Sequence, residues 1–339
     1  MIFLHDMKFS EILGQKLGKD LLCSQVAKGT PGHAYIFSGE KGSGKKMLAE
    51  AFAAALQCED MTPGRTEACG VCKNCHQAMN HNHPDIIYIG HEKPNTIGVD
   101  DIRTGLVGTM DIKPYSGKYK IYIVDEAEKI SLQAQNAMLK TIEEPPEYGV
   151  VILLTANEGV FLPTIMSRCT KIAMKPVENR LVEKLLMEQG KTVDYEARII
   201  AAYAQGNVGK ALSLSMSDEF KERKELVLSI VKRPQRPYYE MISIENSLRE
   251  DKANIKEYLE LMTLWYKDVL LLKSTGREEY ITFKDEIYSL KNNAESMSYA
   301  GISAVIKEIE KASRYMSGNV NFELVIDRLL NVMKGSCND

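Results

Sequence analysis

The turn Gly39-Glu40-Lys41-Gly42-Ser43-Gly44-Lys45-Lys46 constrains this chain more than any other feature. It lies between the apolar run Ala34-Tyr35-Ile36-Phe37 and the alanine-rich stretch Met47 to Gln57. A strand that feeds a helix through a short glycine turn returns to its sheet by a crossover, which predicts a parallel sheet covered by helices. The rest of the first half keeps the pattern. Ile86 to Ile89, Ile121 to Val124 and Val150 to Leu154 read as three further strands, and Ala134 to Glu143 has helical spacing that stops at Pro145-Pro146.

The same turn carries chemistry. A phosphate loop needs glycines so that backbone N–H groups can wrap phosphates at a helix N-terminus, a lysine to reach the terminal phosphates, and a hydroxyl for magnesium. Gly39, Gly42, Gly44 and Lys45 supply the first two. Lys46 stands where Ser or Thr is needed, and an ammonium has three donors and no acceptor. The strand end Val124-Asp125-Glu126 provides the acidic pair that serves magnesium and the attacking water in phosphoryl transfer. The expectation is a nucleotide site that binds ATP and magnesium weakly or not at all and hydrolyses slowly if ever.

Four of the seven cysteines, Cys58, Cys69, Cys72 and Cys75, follow as C-x10-C-x2-C-x2-C, while Cys23, Cys169 and Cys337 are scattered. A secreted disulfide framework spreads its pairs, whereas two successive x2 turns gather thiolates around one tetrahedral ion. Four sulfur ligands leave no open position, so a zinc there is structural. Gly70, Lys73 and Asn74 are the turn-forming and polar spacers of such a knuckle, and His76, His81 and His83 read as solvent-facing bystanders.

A chain of 339 residues, 44% hydrophobic and 26% charged, suits two or three soluble domains. Its net charge of −3 argues against a body that binds nucleic acid as a whole. The N-terminus has neither a long apolar run nor a cleavage pattern, and the expected compartment is the cytoplasm, away from membranes. Beyond about Val177 the strands give way to helices: Leu181 to Glu188, Tyr195 to Ala204, one from near Lys210, then Phe220 to Val231, Ile255 to Lys273, Tyr280 to Leu290, Ile302 to Met316 and Phe322 to Met333. Tyr258, Trp265 and Tyr266 read as core or interface.

Together, His33-Ala34-Tyr35, the phosphate loop, the cysteine knuckle, Val99-Asp100-Asp101-Ile102-Arg103, Lys120 to Glu126, the run from Asn136 through Leu139-Lys140-Thr141-Ile142-Glu143-Glu144-Pro145-Pro146, and Leu162 to Cys169 resemble the bacterial clamp-loader AAA+ family. The resemblance covers nearly the whole chain and is strongest from Phe9 to Ile172. Knuckle, Glu-Glu-Pro-Pro helix end and Ser167-Arg168-Cys169 are specific in combination. What it implies is an α/β plus all-α protein: an AAA+ (RecA-like) domain at 1–175 with the zinc knuckle at about 58–75, a helical lid at 176–218 and a helical oligomerisation collar at 219–339.

The family contains ATP-hydrolysing tau/gamma motors and a stator that sits at one end of a five-membered arc. Lys46 departs from the motors, as does Gly209, which falls where their sensor-2 arginine stands; one helical bundle follows, without the long C-terminal domains of a tau chain. The stator matches better, with a tau/gamma-like motor as the alternative. The resemblance then implies a component of DNA polymerase III, not itself a polymerase, that helps load the sliding clamp onto primed DNA. Its partners are the tau/gamma and delta subunits, the clamp and primed DNA. Arg168 matches the arginine finger given in trans to a neighbouring motor's ATP site, a role suited to a permanently charged, forked group. Asn157 matches the sensor-1 position, although a strand-end asparagine satisfying its own turn fits equally. An autonomous ATPase and a scaffold with vestigial sites are the rivals from other classes.

Overall fold

The computed structural model describes residues 7–62, 64–90, 95–189, 192–316, 318 and 320–336; Cys337 lies outside them. Two compact units divide the chain, Met1–Glu178 with Asn207–Lys210, and Asn179–Gly206 with Ala211–Asp339.

The first unit is a five-stranded sheet between helices. In chain order it contains α1 (Lys16–Lys28), β1 (Ala34–Ser38), α2 (Lys45–Gln57), α3 (Lys73–Met79), β2 (Ile86–Ile89), α4 (Val99–Ile102), α5 (Gly108–Met110), β3 (Lys120–Val124), α6 (Leu132–Glu143), β4 (Gly149–Thr155), α7 (Pro163–Met166) and β5 (Thr170–Ala173). All pairings are parallel, in the order β2-β3-β4-β1-β5, with Ile36 opposite Leu153 and Ile152 opposite Ile123. Side chains alternate across a strand. Tyr35, Phe37, Ile121, Ile123, Ile152 and Leu154 therefore pack with Leu48 and Phe52 of α2 on one face. Ile36, Tyr122, Val124, Val151 and Leu153 meet Ile102, Met138 and Ile165 on the other. Strands buried on both sides read as continuous apolar runs, which is why β1, β3 and β4 were legible in the sequence, together with the partly buried but wholly apolar β2. The fifth was not foreseen: β5 is an edge strand in which only Ile172 is buried.

The second unit is helical: α8 (Asn179–Glu188), α9 (Asp194–Ala204), α10 (Val208–Ser215, whose first turn belongs to the first unit), α11 (Asp218–Lys232), α12 (Tyr238–Glu250), α13 (Ile255–Thr275), α14 (Ile287–Ser296), α15 (Tyr299–Met316) and α16 (Phe322–Gly335). Tyr258, Trp265 and Tyr266 are core residues of α13, and Trp265 meets Phe283 edge-on at 5.4 Å. The helix predicted over 280–290 starts later, at Ile287. The reason is Asp268 on α13, whose Oδ2 accepts from Thr282 N at 2.8 Å and Phe283 N at 2.9 Å. Those donors are held in a loop instead of a helix. Helices α1, α3 and α12 were also not foreseen. In α12 the buried stripe Met241, Ile244, Leu248 is blurred by exposed Tyr238, Tyr239 and Ile242. Among the described residues no helix is long and apolar enough to cross a membrane.

Candidate nucleotide pocket, cysteine cluster and arginine

The phosphate loop joins β1 to α2. Gly42 (φ +87°) and Gly44 (φ +91°, the N-cap of α2) occupy left-handed backbone that a side chain would strain. The loop opens on a cavity of about 440 Å³ lined by Lys41, Lys45, Lys46, Asp125, Glu126 and Glu128 among others, within the range of small-molecule sites. Lys45 turns its ammonium back on the loop, donating to Gly39 O at 2.6 Å and Glu40 O at 2.8 Å. Burial lowers its pKa, opposed by the carboxylates of Glu128, Asp125 and Glu40.

Each member of the acidic pair faces a lysine. Lys46 Nζ stands 3.7 Å from Asp125 Oδ2, and Lys129 Nζ stands 2.6 Å from Glu126 Oε2. Glu126 has φ +49°, and its N–H bonds Asp125 Oδ1 at 2.9 Å. Asn157 caps the turn at 158–160, its Oδ1 accepting from Gly159 N at 3.0 Å.

Two residues of this site escaped the sequence reading. Glu128 lines the cavity and accepts from Ala156 N at 3.1 Å. Asn207 donates through Nδ2 to Lys41 O at 2.8 Å, beside the bond from Gly209 N to Gly42 O at 2.9 Å. A Cβ on Gly209 would lie 2.7 Å from Gly42 Cα, so no side chain fits there while the segment is docked. The sequence singled out Gly209; the partner of this segment, more than 160 residues away, was not visible there.

Cys58, at the C-cap of α2, joins Cys69, Cys72 and Cys75 in a cluster whose sulfurs all lie within 4.8 Å of one another, spaced for one metal ion. Backbone N–H groups aim at these sulfurs: Cys72 N to Cys69 Sγ at 3.2 Å and Cys75 N to Cys72 Sγ at 3.4 Å. Such donors favour the thiolate, the form a metal binds. Asn74, one of the polar spacers, is buried here and links Gln57 O to Ser116 Oγ. His76 and His81 are exposed, but the solvent-facing reading of His83 is corrected. It is buried, with Nδ1 accepting from Asp85 N at 3.1 Å, because the Asp85 carboxylate turns inward to take three N–H donors from Tyr115, Ser116 and Gly117.

Arg168 follows the one-turn helix α7, anchored by its N–H to Ile165 O at 3.1 Å and by buried Cys169. Its side chain is partly exposed. Nη1 donates to Thr164 O at 3.0 Å and Nη2 lies 3.1 Å from Glu143 Oε1. It is not among the residues lining the cavity.

A parallel sheet in this order, a phosphate loop between β1 and the crossover helix α2, an acidic end on the next strand but one, and a C-terminal helical bundle define an AAA+ protein. Residues 14–178 match the family described as DNA polymerase III, delta subunit, and residues 217–334 match DNA polymerase III, delta subunit, C terminal. The delta' subunit of Bacillus subtilis is 27% identical over 319 residues, spanning 93% of this chain and 94% of its own length. The B. subtilis tau subunit is 34% identical over 217 residues, covering 61% of this chain and 37% of tau. A gamma subunit-related protein from Thermotoga maritima aligns with a TM-score of 0.46 and 20% identity over 95% of this chain and all of that one. The chain belongs to the delta-prime subunits of the DNA polymerase III clamp loader, proteins of DNA replication.

Proposed function

We propose that this subunit is the stator of a clamp loader that places the sliding clamp on primed DNA, and that Arg168 completes the ATP site of a neighbouring tau/gamma motor. The carrying observation is the contrast between its two sites. At home, the magnesium hydroxyl is missing and both acids face lysines, Asp125 with Lys46 and Glu126 with Lys129. That pocket binds Mg-nucleotide weakly or not at all and contributes little hydrolysis. Arg168, by contrast, is a partly exposed guanidinium fixed on a short rigid turn. Such a group stabilises the charge that gathers on a transferring phosphoryl group.

The same reading makes residues 176–218 the lid and 219–339 the collar that meets tau/gamma and delta subunits, working in the cytoplasm. It assigns Cys58, Cys69, Cys72 and Cys75 to a structural zinc. A tetrahedron with Zn–S bonds of about 2.3 Å has sulfur edges of about 3.8 Å, and Cys69 Sγ and Cys75 Sγ are 3.8 Å apart.

The test is reconstitution with motor and delta subunits. Arg168→Ala leaves folding, metal content and assembly intact but lowers DNA-stimulated ATPase and clamp loading, since a finger can be worth on the order of 10³ in rate at the site it serves. Other active sites cushion the total ATPase, so loading falls further. Lysine rescues poorly because it lacks the planar fork. Wild-type ATPase and loading at saturating clamp and primed DNA would refute the assignment.

A further inference from the structure

Helix α6 ends on two consecutive carboxylates, Glu143 and Glu144, immediately before Pro145-Pro146. A helix C-terminus carries partial negative charge, so an acid in its last turn works against the local field. A broken local rule marks a place where something other than stability is served. Glu143 has a partner that explains it: its Oε1 lies 3.1 Å from Nη2 of Arg168.

The guanidinium is thereby held from two elements. Nη1 is bound to Thr164 O within its own turn, and Nη2 to the end of α6. The same helix fixes the backbone that leads to the arginine. Gln135, fully buried on α6, accepts from Leu162 N at 2.9 Å through Oε1 and donates to Val160 O at 3.0 Å through Nε2. Helix α6 thus sets both the path of the chain into α7 and the direction of the side chain that leaves it. An arginine tethered this way has surrendered much of its rotamer freedom before any phosphate arrives, and a group so preoriented loses less on reaching its target.

We propose that Glu143 is the positioning residue of Arg168, holding the guanidinium in the orientation in which it meets the phosphate of the neighbouring subunit's nucleotide. The proposal rests on the reading of Arg168 as a finger acting in trans. Glu143 touches no substrate and acts only through Arg168.

The experiment uses the full reconstituted loader with clamp and primed DNA, comparing Glu143→Gln, Glu143→Ala, Arg168→Ala and the double variant Glu143→Ala/Arg168→Ala. Glu143→Ala should reproduce most of the loss in kcat and loading seen with Arg168→Ala, at unchanged KM for ATP. Glu143→Gln, which keeps an acceptor oxygen, should fall between it and wild type. The double variant should be no worse than Arg168→Ala alone. The melting temperature of Glu143→Ala should not drop, because removing an acid from a helix C-terminus relieves an unfavourable interaction. Wild-type kcat in Glu143→Ala, or a loss that adds undiminished to that of Arg168→Ala, overturns the positioning role. If Arg168→Ala itself is silent, the finger reading fails and this proposal goes with it. A silent Glu143→Ala beside a damaged Arg168→Ala removes the proposal alone.

Discussion

Gly209→Ala tests whether the segment at 207–210 is truly docked on the phosphate loop. The new Cβ would stand 2.7 Å from both Gly42 Cα and Gly42 O and 3.1 Å from Gly42 C. All three are backbone atoms, so no flexible side chain can yield. Overpacking of this kind costs about 1–3 kcal/mol. Beside a long contact from Asn207 Nδ2 to Glu40 Oε2 at 3.5 Å, docking rests on two shorter hydrogen bonds, Gly209 N to Gly42 O and Asn207 Nδ2 to Lys41 O. At about 0.5–1.5 kcal/mol each, they contribute about 1–3 kcal/mol together. The clash is therefore comparable with what holds the segment, which should separate from the loop much more often while the sheet stays folded. Amide exchange on the intact chain reports this directly: protection at Gly209 should fall by about tenfold or more, and the melting temperature should move by only a few degrees. Wild-type protection at Gly209 in the alanine variant would show that the close Gly42–Gly209 approach is not a feature of the protein in solution. The same clash forbids a motor-type arginine here, so Gly209→Arg should undock the segment too.

Protein purified without added zinc should carry about one equivalent of it; Cys69→Ser or Cys72→Ser should release the metal and melt the knuckle while the helices of the second unit persist, and metal-free wild type of equal stability refutes the site. Lys46→Thr removes the cation beside Asp125 and restores a hydroxyl, so titration calorimetry should find tighter magnesium-dependent nucleotide binding with little turnover by the isolated chain; robust hydrolysis by the unmodified chain favours the motor reading instead. Burial raises the Asp268 carboxyl to about 6 from 3.8, against the N–H donors of Phe283 and Thr282. Because the folded state holds this proton more tightly, its contribution is complete below pH 3.8 and is lost as pH rises through about 6, a difference of about 3 kcal/mol. Asp268→Asn, which keeps an acceptor and never ionises, should abolish that slope and exceed wild-type stability at pH 8 in denaturant titrations; an unchanged slope refutes the account.

The sequence by itself determined the features whose cause is local. Four strands announced themselves as apolar runs: β1, β3 and β4 are buried on both faces, and β2, buried at Ile86 and Ile89, is apolar throughout. The glycine turn was legible because Gly42 and Gly44 need left-handed backbone, and the cysteine cluster because its ligand spacing is written along the chain. The missing hydroxyl at Lys46 required only reading one letter. Tertiary structure decided the rest. Strand β5 exists because an edge was free beside β1, although Ile172 is its one buried residue. The start of α14 was set by the Asp268 carboxylate, which holds the N–H of Thr282, 14 residues on, in the preceding loop, and the burial of His83 by a neighbouring aspartate that reaches a loop 30 residues on. Asn207 and Gly209 met the phosphate loop, and Glu143 met Arg168, only once the chain was folded. Periodicity reports which face of an element avoids water; it carries no record of which distant polar group will satisfy a given donor, and at this site those pairings place the lysines, the docked glycine and the arginine.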